Sequence, residues 1–313
     1  MIGNLIKKDF LAIADYSSEE LLNLLDLAIS LKKEYFVSGN IPLLKNKVLA
    51  MLFSKPSLRT RVSFDMAMRH LGGDALYISP DEIGLGKRES IADVARVLSG
   101  YVDAIMARVF EHQQIMELAK WAEIPVINGL SDYNHPCQAM ADVLTIQEQF
   151  HSLQGLKVSF TGDGNNVAVS LMHACAKLGM DFAIASPEGY DIHPHAIELA
   201  KEFCLSSGSK LAFLRNPEEA VRNADVVYTD TWTSMGQELE SKKREQTFPP
   251  YQVNQELMRL AKPTAIFMHC LPAHRGQEVT DEVADGPQSV IFKQAHNRLH
   301  VQKAILVKLL LED

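Results

Sequence analysis

Two hydroxyls and two guanidinium groups fall within five consecutive positions, Ser57-Leu58-Arg59-Thr60-Arg61. Forked guanidinium donors match phosphate oxygens, so an anion of that class is the guest this run suits. Arg108, just past an apolar run, reads on its own as a surface charge. His135-Pro136-Cys137-Gln138 sets an imidazole beside a rigid proline, with Gln138 in the first turn of a helix. Such a pair polarises a carbonyl: His donates to the oxygen and Gln orients the rest of the group. A proline-started helix with no chemistry is the other reading. Asp230, at a strand end, suits a ligand ammonium, and Ser234 with the backbone of Met235 suits the carboxylate of an amino acid. In His269-Cys270-Leu271-Pro272, a thiol near cationic groups would have a lowered pKa, whereas a buried cysteine is commonly inert packing. Gly162-Asp163-Gly164-Asn165-Asn166 invites a dinucleotide reading. The third glycine of that fingerprint is replaced by Val167, and no acidic residue closes the next strand, which runs out in Ala185-Ser186-Pro187. Asn166 instead suits amide contacts to a small polar ligand.

These residues need elements to hold them. The apolar run 47–53 has the length and composition of a strand buried on both faces. Pro56 stops it, and Ser57 is placed to cap a helix whose inner face would carry Val62, Met66, Ala67 and Leu71. A strand, a tight turn and a helix start bring free N–H groups and the positive end of a helix dipole to one spot. Ser17 and Glu20 have capping-box spacing ahead of Leu21, Leu22, Leu25, Ala28 and Ile29. Further along, 75–79 reads as a strand, 80–88 as a loop with Gly84 and Gly86, and Ser90 as the start of a helix. A strand at 104–107, helical period through 115–122, a strand at 125–128 and a helix over 138–150 follow. The pattern restarts after 151–155, with strands at 157–161, 182–185, 211–214, 226–229, 265–269 and 290–292 and a closing helix at 295–311.

Strands alternating with helices predict an α/β protein of two domains, each with a mostly parallel sheet flanked by helices. The boundaries are 1–150, joined by the closing helix at about 295–313, and 151–294. Ligands of open parallel sheets bind beyond the carboxyl ends of the strands. Arg59, Arg108, His135, Asn166, Asp230, Cys270 and Arg298 each follow a predicted strand, so both halves are expected to face one cleft.

The chain has 313 residues, 47% hydrophobic and 22% charged, with a net charge of −8. That balance argues against a general nucleic-acid binder, which needs a basic surface. The four cysteines are scattered without a Cys-x-x-Cys pair, which fits reduced thiols and gives no zinc pattern. No stretch approaches the ~20 apolar residues of a membrane span. The start of the chain lacks a signal-peptide core, so a cytoplasmic location is expected.

Taken in order, Ser57 to Arg61, Arg108, His135 to Gln138, Asp230 to Gly236, His269 to Pro272 and Asn297-Arg298 resemble the aspartate/ornithine carbamoyltransferase superfamily, on its ornithine branch. The likeness covers nearly the whole chain, and the Ser-Met-Gly segment is what marks the ornithine branch. It implies transfer of the carbamoyl group of carbamoyl phosphate to the side-chain amine of L-ornithine, giving L-citrulline and phosphate, with no metal and no organic cofactor. It assigns carbamoyl phosphate to Ser57, Leu58, Arg59, Thr60, Arg108, His135, Gln138, Cys270, Leu271 and Arg298. Ornithine falls to Asn166, Asp230, Ser234 and Met235, with Leu130 nearby. Arg59, Arg108, His135, Asp230 and Cys270 are the groups expected to act in the chemistry. A homotrimer and a last helix packed back on the first domain are also implied. The chain departs from the pattern at Leu58, at His296, and at Gly84, where several relatives place a side chain reaching the neighbouring subunit; Lys87 is the substitute expected there. Competing readings are a carbamoyltransferase for acetylornithine or putrescine, a non-catalytic relative that keeps the fold, and a dehydrogenase.

Overall fold

The computed structural model describes residues 8–86, 88–233 and 238–311. The chain divides into two compact units, 1–140 with 298–313 and 141–297.

The first unit begins with α1 (Ser18–Ser38), capped by Ser17 and Glu20 in the expected box. β1 (Val48–Phe53) is buried along nearly its whole length, and α2 (Leu58–His70) follows with Ser57 as its N-cap. Then come β2 (Asp74–Ile78), α3 (Pro80–Ile83), α4 (Ile91–Ser99), β3 (Ala104–Arg108), α5 (His112–Trp121) and β4 (Val126–Leu130). The sheet order is β2-β1-β3-β4, with every pairing parallel. Beyond β4 the chain start adds one more rung: the Phe10 N–H donates to the Val126 carbonyl at 2.9 Å, and the Asn128 N–H donates to the Phe10 carbonyl at 2.8 Å. Asp9 Oδ1 accepts the Val126 N–H at 2.8 Å.

α6 (Pro136–Phe150) leads into the second unit, made of β5 (Lys157–Thr161), α7 (Asn166–Leu178), β6 (Asp181–Ala185), α8 (Pro194–Ser207), β7 (Leu211–Leu214), α9 (Pro217–Val221) and β8 (Val226–Thr229). α10 (Ser241–Thr247), α11 (Gln255–Met258), β9 (Ile266–Met268), α12 (Asp281–Ala284) and α13 (Ile291–Leu311) complete it. Its sheet order is β7-β6-β5-β8-β9, again all parallel. From Arg298 onward α13 belongs to the first unit, where the Lys303 ammonium bonds Asn40 Oδ1 and lies 4.3 Å from the Tyr35 ring centre.

In each sheet the connections turn one way from a central strand and the other way from its neighbour. That reversal falls between β1 and β3 in the first unit and between β5 and β8 in the second. Ligands of such sheets bind outside the carboxyl ends at this reversal.

Three sequence expectations are corrected. The apolar triplet at 290–292 is no strand, since α13 starts at Ile291. A short apolar run has no periodicity to separate a strand from a buried helical turn; Val290 only donates its N–H to the Phe267 carbonyl. Arg298 therefore sits inside a helix rather than after a strand. α2 faces inward only partly as expected: Ala67 and Leu71 are buried, together with Thr60, Phe64 and Met68, while Val62 and Met66 are 48% and 36% exposed. Finally, 80–88 is not all loop, because Pro80 to Ile83 make one helical turn that ends at Gly84.

Candidate active site

In the first unit the groups singled out from sequence gather at the reversal between β1 and β3. Ser57 is extended at the N-cap, and its hydroxyl accepts the Thr60 N–H at 3.3 Å. The same hydroxyl donates to Thr60 Oγ1 at 3.2 Å. Ser54 donates its N–H to the Arg108 carbonyl at 2.8 Å, which locks the turn after β1 to the end of β3. Arg298 reaches in from α13: its Nη1 donates to Gln138 Oε1 at 2.9 Å and its Nη2 to Thr60 Oγ1 at 3.2 Å. One planar fork thus ties α2 to α6. Arg108, His135, Gln138 and Arg298 are all buried, while Arg59 is partly buried.

His135 is placed by the polar loop between β4 and α6. Asn128 Nδ2 donates to Asn134 Oδ1 at 2.6 Å, the Ser131 N–H donates to the Asn134 carbonyl at 3.0 Å, and the Ser131 hydroxyl accepts the Asn134 N–H at 3.3 Å. The His135 carbonyl then accepts the Gln138 and Ala139 N–H groups to start α6. Burial pushes the His135 imidazole well below its ordinary pKa, and the charges of Arg298, Arg108 and Arg59 push it further. A neutral ring among three guanidinium groups is an N–H donor that adds no positive charge.

The remaining first-unit residues separate. Arg61 lies with its guanidinium 4.0 Å from the Tyr77 ring centre. Leu58 is 74% exposed, and Leu130 accepts the Val109 N–H through its carbonyl. Gly84 has φ 49°, and a Cβ built there falls 2.9 Å from the Arg88 Cβ. Glycine at this position is what the turn requires, and a side chain reaching outward does not fit this loop.

In the second unit the reversal between β5 and β8 carries Asn165, Asn166 and Asp230. Asn165, rather than Asn166, is the connecting residue. Its Oδ1 caps α7 by accepting the Val167 and Ala168 N–H groups at 3.0 and 3.1 Å, and its Nδ2 donates to Asp230 Oδ2 at 2.8 Å. The signal was present, since an asparagine just ahead of an apolar helical run is a preferred N-cap. The Cys270 thiol donates to the other oxygen, Asp230 Oδ1, at 3.1 Å. The thiol thus acts as a donor to a carboxylate, a bond that fixes its rotamer. Asp163 pairs with buried Arg244 at 2.6 Å, and Arg244 also donates to the Trp232 carbonyl at 2.8 Å. Burial raises the Asp163 pKa, partly opposed by the Arg244 charge. Ser234, Met235 and Lys87 lie outside the described residues.

Ligand atoms of Asp230, His269 and Cys270 lie within 4.8 Å of one another, a spacing a metal ion could use. The imidazole is already committed: Nδ1 accepts the Leu271 N–H at 2.8 Å, and Nε2 donates to Glu278 at 3.1 Å. The trio is built as a hydrogen-bonded scaffold rather than as a coordination site.

Residues 8–148 match the family model "Aspartate/ornithine carbamoyltransferase, carbamoyl-P binding domain", and residues 154–309 match its partner, "Asp/Orn binding domain". The chain is 53% identical over 310 residues to an ornithine carbamoyltransferase of Pyrococcus abyssi, covering 99% of this chain and 98% of the relative. It is likewise 53% identical over 306 residues to the anabolic ornithine carbamoyltransferase of Pyrococcus furiosus, covering 98% and 97%. A solved structure of ornithine carbamoyltransferase from Pyrococcus furiosus superposes with a TM-score of 0.95 at 52% identity, covering 98% of each chain.

Proposed function

Because the chain belongs to the aspartate/ornithine carbamoyltransferase family, we infer that it transfers the carbamoyl group of carbamoyl phosphate to the side-chain amine of L-ornithine, yielding L-citrulline and phosphate. The observation that carries this reading is the neutral, buried His135 set among Arg59, Arg108 and Arg298 beside the Ser57-capped start of α2. That grouping answers both demands of an acyl phosphate. Fixed guanidinium groups, two hydroxyls and a helix N-terminus suit the phosphate charge. A neutral imidazole N–H suits an oxygen on which negative charge develops, without repelling the arginines.

The roles follow from this. Ser57, Leu58 through its backbone, Arg59, Thr60, Arg108 and Arg298 hold the phosphate. His135 and Gln138 hold the carbamoyl group, and Cys270 and Leu271 supply its remaining contacts. Asp230, with Asn166, Ser234 and Met235, holds ornithine, and Leu130 borders it. The amine starts as an ammonium with a pKa of about 10.4 by analogy with lysine and must shed a proton. Once that proton has passed to bulk water, the nitrogen bonds to the carbamoyl carbon as the bond from that carbon to the phosphate oxygen breaks, and the departing phosphate takes the second proton that the nitrogen sheds. Carbamoyl phosphate arrives activated, so these groups have only to bind, orient and stabilise charge.

We also propose a homotrimer. Leu58, Val62 and Met66 form an exposed apolar line down α2, and Leu76 on the edge strand β2 is 50% exposed; apolar surface of this kind suits a second copy. A cytoplasmic location agrees with four cysteines that form no disulfide and with the absence, among the described residues, of a helix able to cross a membrane.

A colorimetric citrulline assay with carbamoyl phosphate and ornithine tests the reaction, with acetylornithine and putrescine alongside. Citrulline from ornithine is expected; turnover of another amine in its place, or of none, overturns the reading. Light scattering should return three chain masses.

A further inference from the structure

The segment 269–274 is held from two sides by side chains to which the reading above gives no task. From one side, Gln294 Oε1 accepts the His269 N–H at 2.9 Å. The orientation of that amide is fixed by its other end, because Nε2 donates to Asp142 Oδ1 at 2.7 Å and to the Tyr228 hydroxyl at 2.9 Å. A carboxylate accepts and cannot donate, so the oxygen of Gln294 has to face His269. From the other side, Glu278 Oε1 accepts both the His269 Nε2–H at 3.1 Å and the His274 N–H at 2.6 Å. His269, Glu278 and Gln294 are each fully buried.

The imidazole between them works as a bridge. Its Nδ1 accepts the Leu271 N–H at 2.8 Å, so the ring proton belongs on Nε2, where Glu278 receives it. Leu271 has φ 60°, a conformation that a leucine seldom adopts. With its N–H turned inward onto His269, Leu271 keeps that conformation, and the Cys270 side chain is left to meet Asp230 at 3.1 Å.

We propose that Glu278, acting through the His269 imidazole and backed by Gln294, is a positioning residue for the Cys270–Leu271 segment in carbamoyl transfer. Its task is to fix the ring tautomer and hold the Leu271 backbone where the substrate requires it. The proposal rests on the carbamoyltransferase reading, and citrulline formation by the unaltered protein is the control that separates the two.

Three variants test it: Glu278→Leu, which removes the acceptor at similar volume; Glu278→Gln, which keeps one; and His269→Asn, which keeps an acceptor near Leu271 but cannot reach Glu278. Each is measured for kcat, for both KM values and for thermal unfolding. A misplacement near 1 Å costs on the order of 10²-fold in rate. A kcat loss of that order is expected for Glu278→Leu and for His269→Asn in protein that is still folded, with ornithine KM changed much less. Glu278→Gln should restore most of the rate: Glu278 Oε2 makes no hydrogen bond among the described residues and lies 3.8 Å from His274 Nδ1, so an amide nitrogen there breaks none. Wild-type kcat in a folded Glu278→Leu or His269→Asn protein overturns the proposal. So do losses in both that merely track the unfolded fraction, or a Glu278→Gln protein as impaired as Glu278→Leu.

Discussion

His135 stays neutral near pH 7 because water is excluded from it and three guanidinium groups raise the cost of a fourth positive charge. The arginines in turn rely on geometry more than on charge number. Arg298 spans Gln138 and Thr60 with two nitrogens of one plane, which a lysine ammonium cannot do from a single point. Arg298→Lys should therefore raise the KM for carbamoyl phosphate by ~10- to 100-fold, the range for losing a hydrogen bond to a charged group. Steady-state kinetics at saturating ornithine checks this, and an unchanged KM would remove Arg298 from the phosphate set. Much at this scale was legible from local spacing: Ser57 as a cap, Gln138 in the first turn, Asp230 at a strand end. Long-range pairs were not. Arg244 with Asp163, and Gln294 with Asp142, join positions 81 and 152 residues apart, and no short-range pattern announces them.

Among the elements, the turn from β5 into α7 has the clearest double duty. Asn165 caps the helix with its oxygen and holds Asp230 with its nitrogen. Asn165→Ala is expected to lower stability by about 1 kcal/mol through the lost cap and to raise ornithine KM, leaving the KM for carbamoyl phosphate near wild type. A urea titration and the two KM values check the halves separately. Periodicity located the strands of both sheets and the longer helices of the first unit, because buried parallel strands and amphipathic helices repeat differently; α8 to α12 were not placed from the sequence. It failed at 290–292, where three apolar residues suit either state, and at α2. There the residues counted as inward include Val62 and Met66, which lie on the exposed side. Hydrophobicity alone does not distinguish a face that meets the chain's own core from one that the chain leaves exposed.

For the molecule as a whole, acid stability should carry the mark of buried histidines. His173 on α7 is pushed down to about 4 by burial, and its Nε2 meets the Ala196 carbonyl at 2.9 Å. Its folded pKa lies below the unfolded value near 6.5, so between those values the unfolded chain binds more protons. The stability of the second unit should be flat above pH 6.5 and fall as pH drops towards 4, by about 1.4 kcal/mol per pH unit from this one group. His173→Gln keeps an N–H for Ala196 without titrating, so its urea midpoint should hold up better than wild type at pH 5. Equal pH slopes in the two proteins would count against His173.

The rung that Phe10 adds to β4 reaches beyond the resting fold. Two main-chain hydrogen bonds and the Asp9 carboxylate make these few residues the selvedge of the first sheet. An exposed strand edge is a template for any other chain with free main-chain groups. Proteolytic trimming just past Phe10 would leave the residues assigned to chemistry in place and yet turn β4 into a seeding surface, so the shelf life of a preparation would be decided at a point remote from its catalysis.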